Sequence, residues 1–383
     1  MIVGLLGYGV VGSGIHEFLL TDKARHDISV KRILERTAHD SIAAIRVGDP
    51  QDIIADPEID TVIEVLGGFE PASSIALAAV EAGKNLITAN KLMLAENYVN
   101  IIRAARQRGV SVAYSATVGG GIPYLKNLAL VSRADTVVEV GGICNGTTNF
   151  ILDQMQSNGA DFTDVLAEAQ RLGYAETDPT ADIDAVDLCC KLTLLCNVGF
   201  NAYILPADIP TFGVRHITKS DIDVFKASGL RVRLVGHAVR NGNGVAAYCQ
   251  PTLFAPGDGE YSVYGVENYI HYTGERTGKH TFGGQGAGRE TTAVNVYLDA
   301  IDILHGFSPF DKITTDEQLT PCFDGVEYAY YLRTAAPLPQ GVTIQARFGE
   351  GMYLTAPLCV TEMHRIYGEL AKTDPNTFVA AWK

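Results

Sequence analysis

Between Gly173 and Lys191 the chain reads GYAETDPTADIDAVDLCCK, which sets Glu176, Asp178, Asp182, Asp184, Asp187 and Lys191 in an otherwise apolar neighbourhood. Ionisable groups this dense are costly to bury unless they pair with one another or act on something. From Asp182 onward the spacing predicts a helix, with Asp182 as its N-cap and Ile183, Val186, Cys190, Leu192 and Leu195 as apolar positions. Asp187 and Lys191 then stand one turn apart on one face, acid before base. Two readings follow from the residues alone. The pair is either an exposed helical ion pair contributing roughly a few tenths of a kcal/mol, or an ammonium group aimed by a carboxylate for proton transfer.

The whole chain narrows the choice of partners. It has 383 residues, 47% of them hydrophobic and 19% charged, the balance of an ordinary globular protein of two or three domains. A formal charge of −14 argues against nucleic acid or an anionic membrane surface. The opening MIVGLLGYGVVG lacks a basic segment and breaks at glycines, so no signal peptide is expected. No apolar run reaches the roughly eighteen residues of a membrane span. The seven cysteines show no CxxC pair and read as thiols of a reducing cytoplasm. The histidines show neither HxxxH nor HxH spacing, so a zinc centre is not expected.

The elements that must position the acidic stretch begin at the N-terminus. Ile2–Leu6 is an apolar run leading into Gly7-Tyr8-Gly9-Val10-Val11-Gly12, and a helix is predicted over Val11–Leu20. Gly7 permits the tight turn, Gly9 lets the backbone approach a pyrophosphate, and Gly12 lets helix pack on strand. The helix N-terminus then faces the phosphates. After the second strand, Ile28–Leu34, Glu35 could bind a ribose 2′-hydroxyl and Arg36 could pair with a 2′-phosphate; the two signals conflict. Strands at Asp60–Val65, Asn85–Thr88 and Val110–Ser115 alternate with helices at Pro71–Glu81 and Asn97–Arg108. That rhythm predicts a Rossmann-type, doubly wound parallel sheet with ligand at the carboxyl ends of its strands. Thr88-Ala89-Asn90-Lys91 sits at one such end. Val118-Gly119-Gly120-Gly121-Ile122-Pro123 follows the last strand, where backbone groups could face a ligand or cation.

Beyond residue 125 the pattern changes. Asp135–Cys144 reads as a strand and Asn145-Gly146-Thr147-Thr148-Asn149 as a helix start, which could serve a carboxylate ligand or simply cap the helix. Arg231–Val239, Gly244–Leu253 and Asn268–Thr273 read as antiparallel strands around the turn at Asn241–Gly244, giving an α+β second domain. Gly283–Gly288 then opens a helix over Glu290–Leu304, suggesting that the chain returns to the nucleotide domain. The expected organisation is residues 1–125 completed by 284–325, then 126–283, with 326–383 a small appended unit.

Six blocks together resemble homoserine dehydrogenase over roughly residues 1–325. They are GYGVVG at 7–12, TANK at 88–91, ATVGGGIP at 116–123, GGICNGTTNFIL at 141–152, the acidic stretch at 173–191, and GQGAGRETTA at 284–293. The resemblance implies interconversion of homoserine and aspartate 4-semialdehyde with a nicotinamide cofactor, in a cytoplasmic homodimer formed through the second domain. It implies that Lys191 donates and accepts the proton and that Asp187 orients it. Glu176 and Asp182 would hold the substrate amino group, Thr147 and Tyr174 would line the substrate, and Lys91 would lie near substrate and cofactor. Gly7, Tyr8, Gly9, Val11, Gly12, Asn90 and Gly286 match cofactor positions. Arg36 favours NADP over NAD. Carbonyls of Val118, Gly120 and Ile122 are the candidate ligands for a monovalent cation such as sodium, but members often carry a glutamate where this chain has Ser115. The usual glycine two residues before Asp187 is Ala185, read as a packing change. The tail, from YAYYLRTAAPLPQGV onward, resembles a shortened ACT domain. Two other readings compete: another Rossmann-fold amino-acid dehydrogenase or reductase, and a non-catalytic nucleotide-dependent sensor.

Overall fold

The computed structural model describes residues 1–21, 26–313 and 316–383. Six strands form the first sheet: β1 (Ile2–Leu6), β2 (Ser29–Leu34), β3 (Arg46–Val47), β4 (Thr61–Glu64), β5 (Asn85–Thr88) and β6 (Val112–Ala113). Their order is β3-β2-β1-β4-β5-β6 and every pairing is parallel. The order reverses at β1, so ligand is expected beyond the carboxyl ends of β1 and β4. Val3, Leu5, Leu6, Ile33, Val62, Ile63, Leu86 and Ile87 are buried. Near-continuous apolar strands are what a sheet covered on both faces requires.

The second sheet contains β7 (Val137–Ile143), β8 (Arg231–Asn241), β9 (Gly244–Phe254), β10 (Glu267–Gly274), β11 (Gly278–Gln285), β12 (Glu327–Arg333), β13 (Ile344–Gly349), β14 (Met352–Thr355), β15 (Leu358–Cys359) and β16 (Phe378–Trp382). Along it the order runs β11-β10-β7-β8-β9-β16-β12-β14-β13, with β15 beside β12. The hairpin β8–β9 pairs Asn241 with Gly244, as the turn residues predict. Two compact units result. One comprises Met1–Val137, Thr193–Leu205 and Gly284–Gln318; the other comprises Val138–Leu192, Pro206–Gly283 and Leu319–Lys383.

Three expectations need correction. The helix expected from Asp182 is broken: a single turn, Thr180–Ile183, precedes the main helix, Val186–Gly199. Between them Ala185 takes φ +62, the left-handed conformation that disfavours a Cβ. A glycine at this position therefore answers a backbone demand, and Ala185 is more than a packing change. The helix expected at Asn97 starts earlier, at Lys91, because Asn90 caps it; Asn97 itself departs from helical dihedrals (φ −117, ψ 18). Finally, the tail is not a separate appendage. Its β16 pairs in parallel with β9, joining the second unit's sheet.

Candidate active site

The acidic stretch converges on the N-terminus of the helix Gly146–Asn158. Asn145 caps that helix: its Oδ1 accepts from the backbone N–H of Thr148 at 2.9 Å. Its Nδ2 points the other way, donating to Asp182 Oδ1 at 2.7 Å and Asp187 Oδ2 at 2.8 Å. One side chain thus terminates a helix and holds two carboxylates together. The capping reading of NGTTN holds, and the cap's spare amide end serves the acidic cluster.

Lys191 lies one turn after Asp187 on the main helix. Its Nζ donates to Asp187 Oδ2 at 2.7 Å and to the carbonyl of Cys144 at 2.6 Å. Both side chains are buried, at 8% and 10% exposure, which excludes the surface ion-pair reading. An ammonium group has three N–H bonds, and among the described residues these two are the ones given a protein acceptor. Leu188 and Leu192 pack this helix against β8, where a Cβ on Gly236 would come within 3.3 Å of Leu188 Cδ1. The Cys144 thiol is pushed up to about 12 by burial and stays neutral; its carbonyl is the useful atom.

Burial raises the Asp182 carboxyl above the ordinary aspartate range, opposed by the Asn145 amide, and the nearby Asp187 charge raises it further. Thr147 spends its hydroxyl on the Tyr174 carbonyl at 2.6 Å, pinning the loop that carries the acids. Tyr174 is itself exposed and meets Phe150 edge-on. Glu176 is not drawn into the cluster: it is exposed, and its carbonyl accepts from Gln170. Asp184 turns outward to a two-bond ion pair with Arg215, and Asp178 caps the turn at Thr180.

In the other unit the glycine-rich turn follows β1 as expected. Gly7 has φ +100, and a Cβ on Gly12 would sit 2.2 Å from the Gly7 carbonyl oxygen, so the helix Val10–Thr21 can start only against glycine. No atom crowds the space where Gly9 would carry a Cβ. Glu35 accepts from the backbone N–H of Tyr8 at 3.1 Å and of Thr37 at 2.8 Å, and these donors, Thr37 foremost, hold its carboxyl low. Arg36 beside it is exposed. Sequence reasoning missed Glu64. Fully buried at the end of β4, it accepts from Thr88 Oγ1 at 2.6 Å and Asn90 Nδ2 at 3.3 Å. Asn90 also reaches the Gly68 carbonyl, so the TANK turn that presents Lys91 is fixed from behind. A glutamate ending an apolar strand was the available signal. Gly286 backs onto Gly120, whose Cβ would stand 2.6 Å from the Gly286 carbonyl oxygen.

A 321456 parallel sheet with this glycine turn, in a chain whose other unit holds a buried lysine–carboxylate pair, defines a nucleotide-dependent oxidoreductase. Family models described as "Homoserine dehydrogenase, NAD binding domain" and "Homoserine dehydrogenase" match residues 7–115 and 123–301. Homoserine dehydrogenase from Pseudomonas aeruginosa is 35% identical over 363 residues, covering 90% of this chain and 83% of that one. The Synechocystis enzyme is 37% identical over 333 residues, covering 84% and 77%. A solved homoserine dehydrogenase from Thiobacillus denitrificans superposes with a TM-score of 0.85 at 32% identity, covering 100% and 98%. The chain belongs to the homoserine dehydrogenase family, oxidoreductases that act on a CH–OH group. Among the described residues no helix is long and apolar enough to cross a membrane.

Proposed function

We propose that Lys191 is the proton donor and acceptor when homoserine and aspartate 4-semialdehyde interconvert. The observation that carries this is its buried Nζ, fixed by Asp187 and the Cys144 carbonyl with one N–H left for substrate. In the reducing direction the ammonium protonates the aldehyde oxygen as hydride reaches the carbon; in the oxidising direction the neutral amine takes the hydroxyl proton. The nicotinamide nucleotide, when bound, gives or takes that hydride. Asp187 keeps the lysine aimed. Asp182, with Glu176, takes the substrate ammonium, Thr147 and Tyr174 line its other end, and Lys91 serves substrate and cofactor.

Gly7, Tyr8, Gly9, Val11, Gly12, Asn90 and Gly286 hold the nucleotide. NADP is preferred over NAD, because Arg36 is free to meet a 2′-phosphate while Glu35 is committed to backbone N–H groups. The enzyme works in the cytoplasm as a homodimer. Its tail is a shortened ACT-like unit: β12, β13, β14, one helix (Val360–Leu370) and β16 in the order β16-β12-β14-β13 are what remain of a split βαββαβ unit without its first helix.

Nicotinamide absorbance followed with homoserine and each nucleotide tests the reading. Turnover is expected with both, with the lower KM for NADP. Arg36→Ala should raise the KM for NADP about tenfold and leave that for NAD nearly unchanged. No oxidation of homoserine with either nucleotide would remove the proposal.

A further inference from the structure

Two of the three carbonyls on which the resemblance would place a monovalent cation, those of Gly120 and Ile122, have a different partner in this chain. Asn295, 1% exposed on the helix Arg289–Leu304, donates Nδ2 to the Gly120 carbonyl and lies 3.5 Å from the Ile122 carbonyl oxygen. The amide cannot be turned over, because its Oδ1 would then face carbonyl oxygens. A sodium ion would compete with this N–H₂ group for the same lone pairs.

Among the described residues no side-chain carboxylate is spare beside them. Ser115 donates Oγ to Asp299 Oδ1 at 2.6 Å and its N–H to Oδ2 at 2.9 Å. Asp299 is buried and already neutralised by Lys126 Nζ at 3.1 Å, which reaches Asp302 at 2.7 Å as well. An incoming cation would have to displace an amide from its acceptors and enter beside an ammonium group. The residues present do not fit the ion.

We propose that the Asn295 side chain stands in the place of the cation. It braces the 119–122 turn, whose Gly120 rests on the backbone of Gly286, and the chain neither binds nor needs sodium or potassium there. Asn295 is thus a positioning residue, whichever nucleotide the unit binds.

Thermal midpoints and homoserine turnover measured in sodium, potassium and tetramethylammonium chloride at one ionic strength test this. For the wild type both should be the same in all three salts, with midpoints agreeing within about 1 °C. Asn295→Asp puts a carboxylate against the carbonyls, and should acquire a saturable midpoint rise of about 3 °C or more in sodium or potassium over tetramethylammonium. A saturable, ion-specific rise in the wild type would overturn the proposal, as would an Asp variant that folds without gaining one. The wild-type arm decides the matter even if the variant does not fold.

Discussion

Lys191 and Asp187 form a buried ion pair instead of a surface one. A buried lysine–aspartate pair gives weak net stability, because desolvation offsets attraction. Here the second acceptor is a backbone carbonyl, which fixes the ammonium without cancelling its charge. Asn145 is the residue on which the arrangement turns. Asn145→Ala should destabilise the protein by about 1–2 kcal/mol through the lost cap, seen as a lower urea midpoint. It should also raise the homoserine KM about tenfold or more, because Asp182 and Asp187 lose their common donor. Asp182 carries a pH signature. In the proposed role its raised carboxyl must be ionised to hold the substrate ammonium, so kcat/KM should fall with acid at a pH above the ordinary 3.8, and Asp182→Asn should abolish that limb. A limb that persists in the variant would assign it elsewhere. The sequence made Asp187 and Lys191 legible through their spacing. Asn145 and Glu64 were not legible as links, because their partners lie 37, 42, 24 and 26 residues away.

The helices and strands themselves were read well where one signal dominated. The glycine turn after β1 and the strand Asn85–Thr88 match expectation, since apolar runs and glycines report local needs. The break at Ala185 did not show, because an alanine ordinarily signals helix and its left-handed φ is imposed by what surrounds it. That position stores strain of about 1 kcal/mol. Ala185→Gly should raise the urea midpoint slightly, by up to about 1 kcal/mol in stability once the extra freedom of the unfolded chain is counted, with turnover unchanged. A loss of stability would show that the alanine methyl contributes more by packing than it strains the backbone.

Across the whole molecule the largest misreading was the tail, and its cause is topological. Pairing of β16 with β9 joins segments more than a hundred residues apart, which no local pattern reports. Ala381, Tyr330, Leu332, Met363 and Ile366 form a core together with Phe212 from the body of the unit. Deleting residues 326–383 should therefore leave an aggregating protein without a cooperative transition, by calorimetry, instead of a trimmed active one. The same sheet carries an acid-sensitive cluster. His237 is lowered to about 4, chiefly by burial against the opposing charge of Glu139, and Glu139 is lowered to about 2, first by its hydrogen bond to His271. A histidine kept neutral on folding loses its contribution as pH falls from 6.5 to about 4; a carboxylate held low loses its own from 4.5 to about 2. Both signs agree, so the thermal midpoint should fall steadily with acid below pH 6.5, and His237→Gln should flatten the upper part of that slope.

The central claim, that Lys191 moves the proton, is tested most directly by homoserine oxidation in Lys191→Ala, with nucleotide binding measured by fluorescence in the same preparation. Turnover should fall by about two orders of magnitude or more while the nucleotide Kd stays within about threefold of wild type. Undiminished turnover in a folded Lys191→Ala enzyme would contradict it.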